Sequence, residues 1–186
     1  MRIIGGEKKG GKIILPYDKN TRPLKDILKE SLFNILTHSN ILKFKFENSN
    51  ILDLFSGVGS FGIECLSRGA NKVVFFENYK KTSKILKKNI SIFKYKNKSE
   101  IFEKDIYEKS SLLSINGKFN LIFMDLPFKE KRILDLLEMI KKHKILDKNG
   151  LVILHRHVET KDVLPTDINI LIEKKYGKSK VIIAKF

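Results

Sequence analysis

The sequence predicts an α/β fold: a mostly parallel sheet with an antiparallel edge, preceded by a small N-terminal β-hairpin and helix. Three observations carry the prediction. Short apolar runs alternate along the chain with stretches of helical periodicity. One run, residues 51–55, breaks into the glycine turn Gly57-x-Gly59-x-x-Gly62 and then into a helical pattern through Ile63 and Leu66. The last two runs, 168–172 and 181–184, flank Gly177 and read as a hairpin at the sheet's edge.

The 186 residues suit one domain with a short appendage, divided as 1–40 and 41–186. A hydrophobic content of 42% supplies a core and excludes global disorder. No apolar run approaches the roughly 18 residues of a membrane span, and the first residues lack a signal-peptide stretch, so a cytoplasmic protein is expected. Cys65 is the single cysteine, which excludes an intrachain disulfide and a cysteine-rich metal site. The net charge of +16 suits a polyanionic partner such as nucleic acid. Abundant Lys, Asn and Ile also fit a genome rich in A/T codons, so charge alone leaves the partner open.

Residues 1–16 read as two short strands around a glycine-rich turn, made basic by Arg2, Lys8, Lys9 and Lys12. Thr21-Arg22-Pro23 opens a helix, with Pro23 favourable in its first turn. Leu24, Ile27, Leu28, Leu32, Ile35 and Leu36 mark its buried face, and Arg22, Lys25 and Lys29 lie near its start. A polar connection with scattered aromatics leads to the run at 51–55, which carries Asp53.

The glycines let the backbone turn tightly and a ligand approach the main chain. Strand, glycine turn and helix together hold a nucleotide-like cofactor in an open α/β sheet. Residues 72–76 read as the second buried strand. Glu77 follows, twenty positions beyond Gly57, where a carboxylate can accept hydrogen bonds from a ribose diol. Asn78 is a candidate N-cap for the next helix, whose inner face is Thr82, Ile85, Leu86, Asn89, Ile90 and Phe93. Residues 80–98 hold eight lysines and no acid, which by default reads as a solvated face.

A short strand at 99–102 precedes Asp105, which either meets the cofactor's adenine amine or is a turn aspartate. The fourth strand, 119–124, ends in Asp125-Leu126-Pro127-Phe128. A helix with Ile133, Leu134, Leu137 and Ile140 inward closes at Asn149-Gly150, and 151–154 is the fifth strand. His155 and His157 read as loop residues rather than ligands, and no metal site is expected.

Asp53, Glu77, Asp105 and Asp125 thus all fall at strand ends, where ligands of such sheets gather. The acid-x-Pro-aromatic turn separates cofactor classes. A dehydrogenase has no need of it, whereas methyl transfer to an exocyclic amine does. The Asp125 carboxylate and the Leu126 carbonyl can accept the two amine hydrogens, and Phe128 can stack on the base.

At DLFSGVGSFGIE, the acidic end of VVFFE, and DLPF, the chain resembles a class I S-adenosylmethionine-dependent methyltransferase of the amino type. MRIIGG…KGGKI, TRPLKDILKESLFNIL and KKYGKSKVIIAKF are similar to the RsmD family, over nearly the whole chain. Those enzymes methylate N2 of a guanine in small-subunit (16S) ribosomal RNA. The resemblance implies a Rossmann-like, seven-stranded methyltransferase sheet. It implies S-adenosylmethionine held by Asp53, Phe55, Gly57, Gly59, Gly62, Glu77, Asn78 and Asp105, and a guanine received by Asp125, Leu126, Pro127 and Phe128. Small-subunit ribosomal RNA, free or in an assembling 30S particle, is the expected partner of a monomer, gripped by Arg2, Lys8, Lys9, Lys12, Arg22 and Lys29.

The chain departs from the family pattern at three places. Leu126 replaces the first proline of Asp/Asn-Pro-Pro-Phe/Tyr, Lys29 stands for a usual arginine, and His155 takes the place of an acid. Two other readings stay open from the residues: a nicotinamide-dependent oxidoreductase, and an RNA-binding member of the fold without catalysis.

Overall fold

The apolar runs pair side by side in one seven-stranded sheet. The computed structural model describes residues 1–17, 26–42, 44–108 and 111–186. The strands are β1 (Asn50–Leu54), β2 (Lys72–Phe76), β3 (Ser99–Phe102), β4 (Phe119–Asp125), β5 (Leu146–His157), β6 (Asn169–Tyr176) and β7 (Ser179–Lys185). The helices are α1 (Asp26–His38), α2 (Ser60–Ser67), α3 (Lys80–Ile92) and α4 (Ile133–Lys142). In the sheet order β3-β2-β1-β4-β5-β7-β6, β1 to β5 run parallel and β7 is antiparallel to both its neighbours. The chain moves outward from β1 to β3 and then returns to β4 on the other side of β1. That reversal makes the carboxyl ends of β1 and β4 the topological switch point, the place where such sheets bind ligands.

The central strands are apolar throughout because both faces are covered. Ile51, Val73, Phe75, Leu121 and Phe123 point into a core closed by α1, α2 and α3. Their alternates, Leu52, Leu54, Val74, Phe76, Ile122 and Met124, point into a second core under α4. Phe61 of α2 stacks on Phe123 of β4 with ring centroids 3.9 Å apart.

The N-terminal segment holds less ladder than its sequence predicts. Only Arg2 and Lys12 form a β-bridge, with Ile3 N–H donating to Gly11 O and Gly10 N–H to Ile3 O, both at 2.9 Å. Several other donors of the segment turn to the domain instead. Ile4 and Gly5 N–H each reach the Glu64 carboxylate at 2.8 Å, and Glu7 N–H reaches Ser67 O at 2.7 Å. Gly6, at φ 75°, passes so near α2 that a Cβ there would lie 1.8 Å from Ser67 O. Ile3 and Ile13 share the first core with Leu28, Leu32, Phe33 and Leu36 of α1 and with Ile51 of β1. The expected helix start at Thr21-Arg22-Pro23 lies outside the described residues. Ile27 is 80% exposed although the apolar spacing puts it inward, and Lys29 is fully buried in its stead.

Three helices end alike. Gly69, Lys94 and Lys144 take left-handed φ values of 102°, 61° and 52° after α2, α3 and α4. The next amides, of Ala70, Tyr95 and Ile145, bond back to Cys65, Ile90 and Ile140. This is the Schellman arrangement, usually built on glycine. With lysine at that position, the end of α4 carries no glycine signal. Asn149-Gly150 therefore does not close the helix: it falls within β5, where the register with β4 slips between Phe119 and Leu121.

Candidate active site

The glycine turn is fixed by the strands it joins. Ser56 Oγ donates to Asp53 O at 2.5 Å and its N–H to Phe76 O at 2.9 Å, tying the turn across β1 and β2. Phe55, one residue past β1, is left-handed at φ 58° and half-buried. A Cβ on Gly59 (φ 82°) would meet Leu86 at 2.3 Å, and one on Gly62 would meet the Phe75 ring at 2.3 Å. These two glycines therefore seat α2 against α3 and the sheet.

Asp53 lies beneath the turn, 1% exposed, and its Oδ2 accepts the Gly62 N–H at 3.0 Å. Burial pushes its carboxyl well above the ordinary range; the Gly62 bond opposes this, and the charges of Asp125 and Glu77 add to it. Its Oδ1 is buried and has no partner among the described residues.

Glu77 follows β2 directly. Oε2 accepts Gly57 N–H and Oε1 accepts Tyr79 N–H, both at 2.8 Å. Burial raises this carboxyl, and the two N–H bonds oppose the rise. Each oxygen keeps a further lone pair, so the carboxylate is a fixed fork of two acceptors. Asn78 is exposed and does not cap α3; the N-cap residue is Tyr79.

Asp105 follows β3. Its Oδ1 accepts Tyr107 N–H at 3.0 Å and its carbonyl accepts Ser111 Oγ–H at 2.6 Å, so it shapes a turn. Tyr107 links the two sides of this rim. Its ring centroid lies 6.2 Å from that of Phe55, and the Arg132 guanidinium sits 3.7 Å from its ring centre. The sheet order places the ends of β3, β2, β1 and β4 in a row, so Asp105, Glu77, Asp53 and Asp125 share one edge.

At the end of β4, Asp125 is in register with His155 of β5, and His155 Nδ1 lies 2.7 Å from Asp125 Oδ1. The other ring nitrogen, Nε2, is buried without a partner among the described residues. A proton there would be an unsatisfied buried donor, so the ring's proton belongs on Nδ1, donated to Asp125. Asp125 Oδ2 is then left to accept from a ligand, and the side chain is 24% exposed.

The turn after Asp125 is held from below by Arg156, whose side chain is 2% exposed. Its Nη1 donates to Pro127 O at 2.9 Å and its Nη2 to Glu130 O at 2.7 Å. Nε and Nη2 both reach Asp162 Oδ1, at 3.0 and 2.8 Å. Burial works against ionisation of Asp162, but hydrogen bonds from Arg156 and Thr160, with the charges of Arg156 and Lys180, hold its carboxyl below the ordinary range. Leu126 points into the second core. Phe128 stays 37% exposed, its ring edge-on to those of His157 and His155 at 5.1 and 6.5 Å.

His155, Arg156 and Asp162 escape a sequence reading that ends the fifth strand at Leu154. The available signal is the polar trio His155-Arg156-His157 directly after a buried run in the strand beside β4.

The expected RNA-binding set divides. Arg2, Lys9 and Lys12 are exposed, and Lys8 is half-buried with its ammonium 3.8 Å from Glu7. Arg22 lies outside the described residues. Lys29 is removed from the set: its Nζ donates to Arg2 O at 2.7 Å, 3.6 Å from Glu64 Oε2, with both side chains 0% exposed. It anchors the N-terminal segment and cannot reach a phosphate. Its spacing from Leu32, Phe33 and Leu36 already puts it on the apolar stripe of α1.

The chain matches the family described as Conserved hypothetical protein 95 over residues 1–185. It is 32% identical over 182 residues to the Ribosomal RNA small subunit methyltransferase D of Buchnera aphidicola subsp. Baizongia pistaciae, covering 98% of this chain and 88% of that protein. The protein of the same name from Escherichia coli K12 is 29% identical over 166 residues, covering 89% of this chain and 78% of its own length. Among solved structures, yhhF of Escherichia coli, described as a candidate methyltransferase, superposes with a TM-score of 0.82 at 26% identity. That superposition covers 99% of this chain and 96% of the other.

Proposed function

We propose one function for this chain, which belongs to the family described as Conserved hypothetical protein 95, the RsmD family. It methylates small-subunit ribosomal RNA with S-adenosylmethionine, at the exocyclic N2 amine of a guanine. The fold is that of the class I methyltransferases. The observation that carries the reading is the Asp125–Phe128 turn, fixed by His155 and Arg156 at the edge that also holds Asp53 and Glu77.

The cofactor fits the residues present. Asp53 keeps one buried carboxylate oxygen without a partner, an acceptor of the kind an amino-acid ammonium needs. Glu77 offers a fixed pair of acceptors for a ribose diol. Phe55, Gly57, Gly59, Gly62 and Asp105 border the same edge, and Asn78 stands exposed beside Glu77. S-adenosylmethionine, when bound, supplies an electrophilic methyl group.

The chain's own residues prepare the amine. The guanine N2 lone pair is delocalised into the ring and must be aimed to react. Asp125 Oδ2 and the Leu126 carbonyl accept the two amine hydrogens, and Phe128 stacks on the base. As nitrogen gains its methyl it loses one proton, which passes to Asp125 Oδ2 and on to water. The His155 N–H on Oδ1 keeps the carboxylate turned towards the amine. The guanine is unpaired or extruded when it enters.

In this reading residues 1–40 are the RNA-gripping part, with Arg2, Lys8, Lys9, Lys12 and Arg22 on phosphates. The protein works as a monomer in the cytoplasm, on ribosomal RNA free or in an assembling small subunit. The test is methyl transfer to naked RNA, partly assembled subunits and mature subunits, with the modified base mapped by mass spectrometry. Methyl on a guanine N2 of the small-subunit RNA is expected. Transfer to a different atom would overturn the assignment.

A further inference from the structure

The N-terminal segment and the lysine-rich helix are separate in sequence and joined in space. Asn89, buried within α3, accepts Ile14 N–H at 2.9 Å and donates to Ile14 O and to Val58 O in the glycine turn, both at 3.1 Å. Further along, Tyr95 Oη donates to Glu7 Oε1 at 2.8 Å. Gly11 lies so close that a Cβ there would meet the Phe93 ring at 2.5 Å. The Lys8 ammonium stands 6.0 Å from the Tyr95 ring centre. The segment is therefore joined to the C-terminal end of α3, at Asn89 and at Phe93 and Tyr95 just past the helix.

The exposed side of α3 has an uncompensated charge. Lys87 is bonded to Glu103, but Lys81, Lys84 and Lys88 are exposed and have no ion-pair partner among the described residues. Their spacing of three and four residues puts them in one stripe, about 10 Å long at about 1.5 Å per residue. Beside Lys88 the surface dips into a groove of about 510 Å³ lined by Lys87, Lys96, Ser91 and Ser99. Parallel ammonium groups repel one another, and a polyanion laid across them relieves that repulsion and releases counterions.

We propose that the N-terminal segment and the outer stripe of α3 form one continuous surface for an RNA phosphate backbone, with Lys9 and Lys12 at one end and Lys81, Lys84 and Lys88 along the helix. This rests on the ribosomal RNA reading above and enlarges its contact face beyond residues 1–40. The partner is recognised by backbone charge, so the surface supplies affinity and register while the Asp125 turn selects the base.

The test is binding of a small-subunit ribosomal RNA fragment across a range of salt concentrations, with fluorescence anisotropy as the readout. Three variants are compared with the wild type: Lys9→Gln with Lys12→Gln, Lys81→Gln with Lys84→Gln and Lys88→Gln, and all five together. All five side chains are exposed, and circular dichroism and cofactor calorimetry check that each variant is intact. The helix variant should bind about 10-fold or more weakly at low salt, and its log–log salt slope should fall by about two to three, near 0.7–0.9 per lost phosphate contact. The five-site variant should lose more than either set alone. A helix variant with the wild-type slope, beside a weakened Lys9/Lys12 variant, would overturn the joined surface and leave the RNA reading standing. A wild type with no salt-sensitive RNA binding would overturn both.

Discussion

Nη1 of Arg156 donates to the carbonyl oxygen of Pro127 at 2.9 Å, so the turn that follows the sheet's fourth strand is fixed from the fifth. Asp162 in turn fixes Arg156 through two bonds to one carboxylate oxygen. Breaking a buried pair from one side leaves the other charge uncompensated. Arg156→Ala should therefore destabilise the fold by about 3–5 kcal/mol. The double variant with Asp162→Ala should lose clearly less than the two single losses added. Urea denaturation of the four proteins measures both.

Leu126 stands where the family's pattern has a proline. Pro127 already biases it towards extended geometry, and the Arg156 bond holds the carbonyl that follows. Leu126→Pro should change the single-turnover rate only a few-fold, on the order of 1 kcal/mol. The Leu126 side chain is buried, so stability should fall by about 2–3 kcal/mol as its core contacts are lost. Measuring rate and denaturation on the same sample separates the two effects.

Glu77 carries opposite trends with pH. Burial raises its carboxyl above the ordinary 4.5, against the Tyr79 and Gly57 bonds. The folded chain therefore binds this proton more tightly than the unfolded chain does. Its contribution to stability grows as pH falls through the raised value and levels off below the ordinary one. Cofactor affinity should move the other way, because in the proposed site the ribose hydroxyls donate to the ionised form. Calorimetry from pH 7 downward should show weakening affinity in the wild type and a shallower fall in Glu77→Gln, where protonation of the raised Asp53 carboxyl remains. Glu77→Ala should bind about 1.5–3 kcal/mol more weakly at neutral pH.

In the proposed mechanism His155 acts through Asp125. His155→Phe keeps a ring of similar size and removes the N–H, and should slow single-turnover methyl transfer by roughly 10–100-fold with cofactor affinity unchanged. His155→Asn places an amide N–H near the same position and should recover most of that rate. A wild-type rate in His155→Phe would mean that His155 only fills space.

Much of the sheet was legible, because a strand covered on both faces leaves a continuous apolar run, as at 73–76 and 121–124. Glu77 and Asp125 follow from such runs, since an acid at the end of one reaches the carboxyl edge, and Asp53 lies one residue short of the end of β1. What stayed hidden depended on tertiary partners. Lys29 is inward because Arg2 and Glu64 wait there, and Ile27 is outward on the same helix. Lys144 ends α4 in a conformation that sequence rules reserve for glycine, which displaced the start of β5. The clamp of Arg156 and Asp162 links a strand to a loop that has no periodicity to read.

The most direct test is single-turnover methyl transfer to small-subunit ribosomal RNA with enzyme and cofactor saturating, the product base mapped, in the wild type and in Asp125→Ala. The wild type should form N2-methylguanine. In Asp125→Ala the rate should be lower by roughly 100-fold or more, with cofactor affinity retained. A wild type that binds both cofactor and RNA yet transfers no methyl, or an Asp125→Ala enzyme as fast as the wild type, would contradict the proposed function.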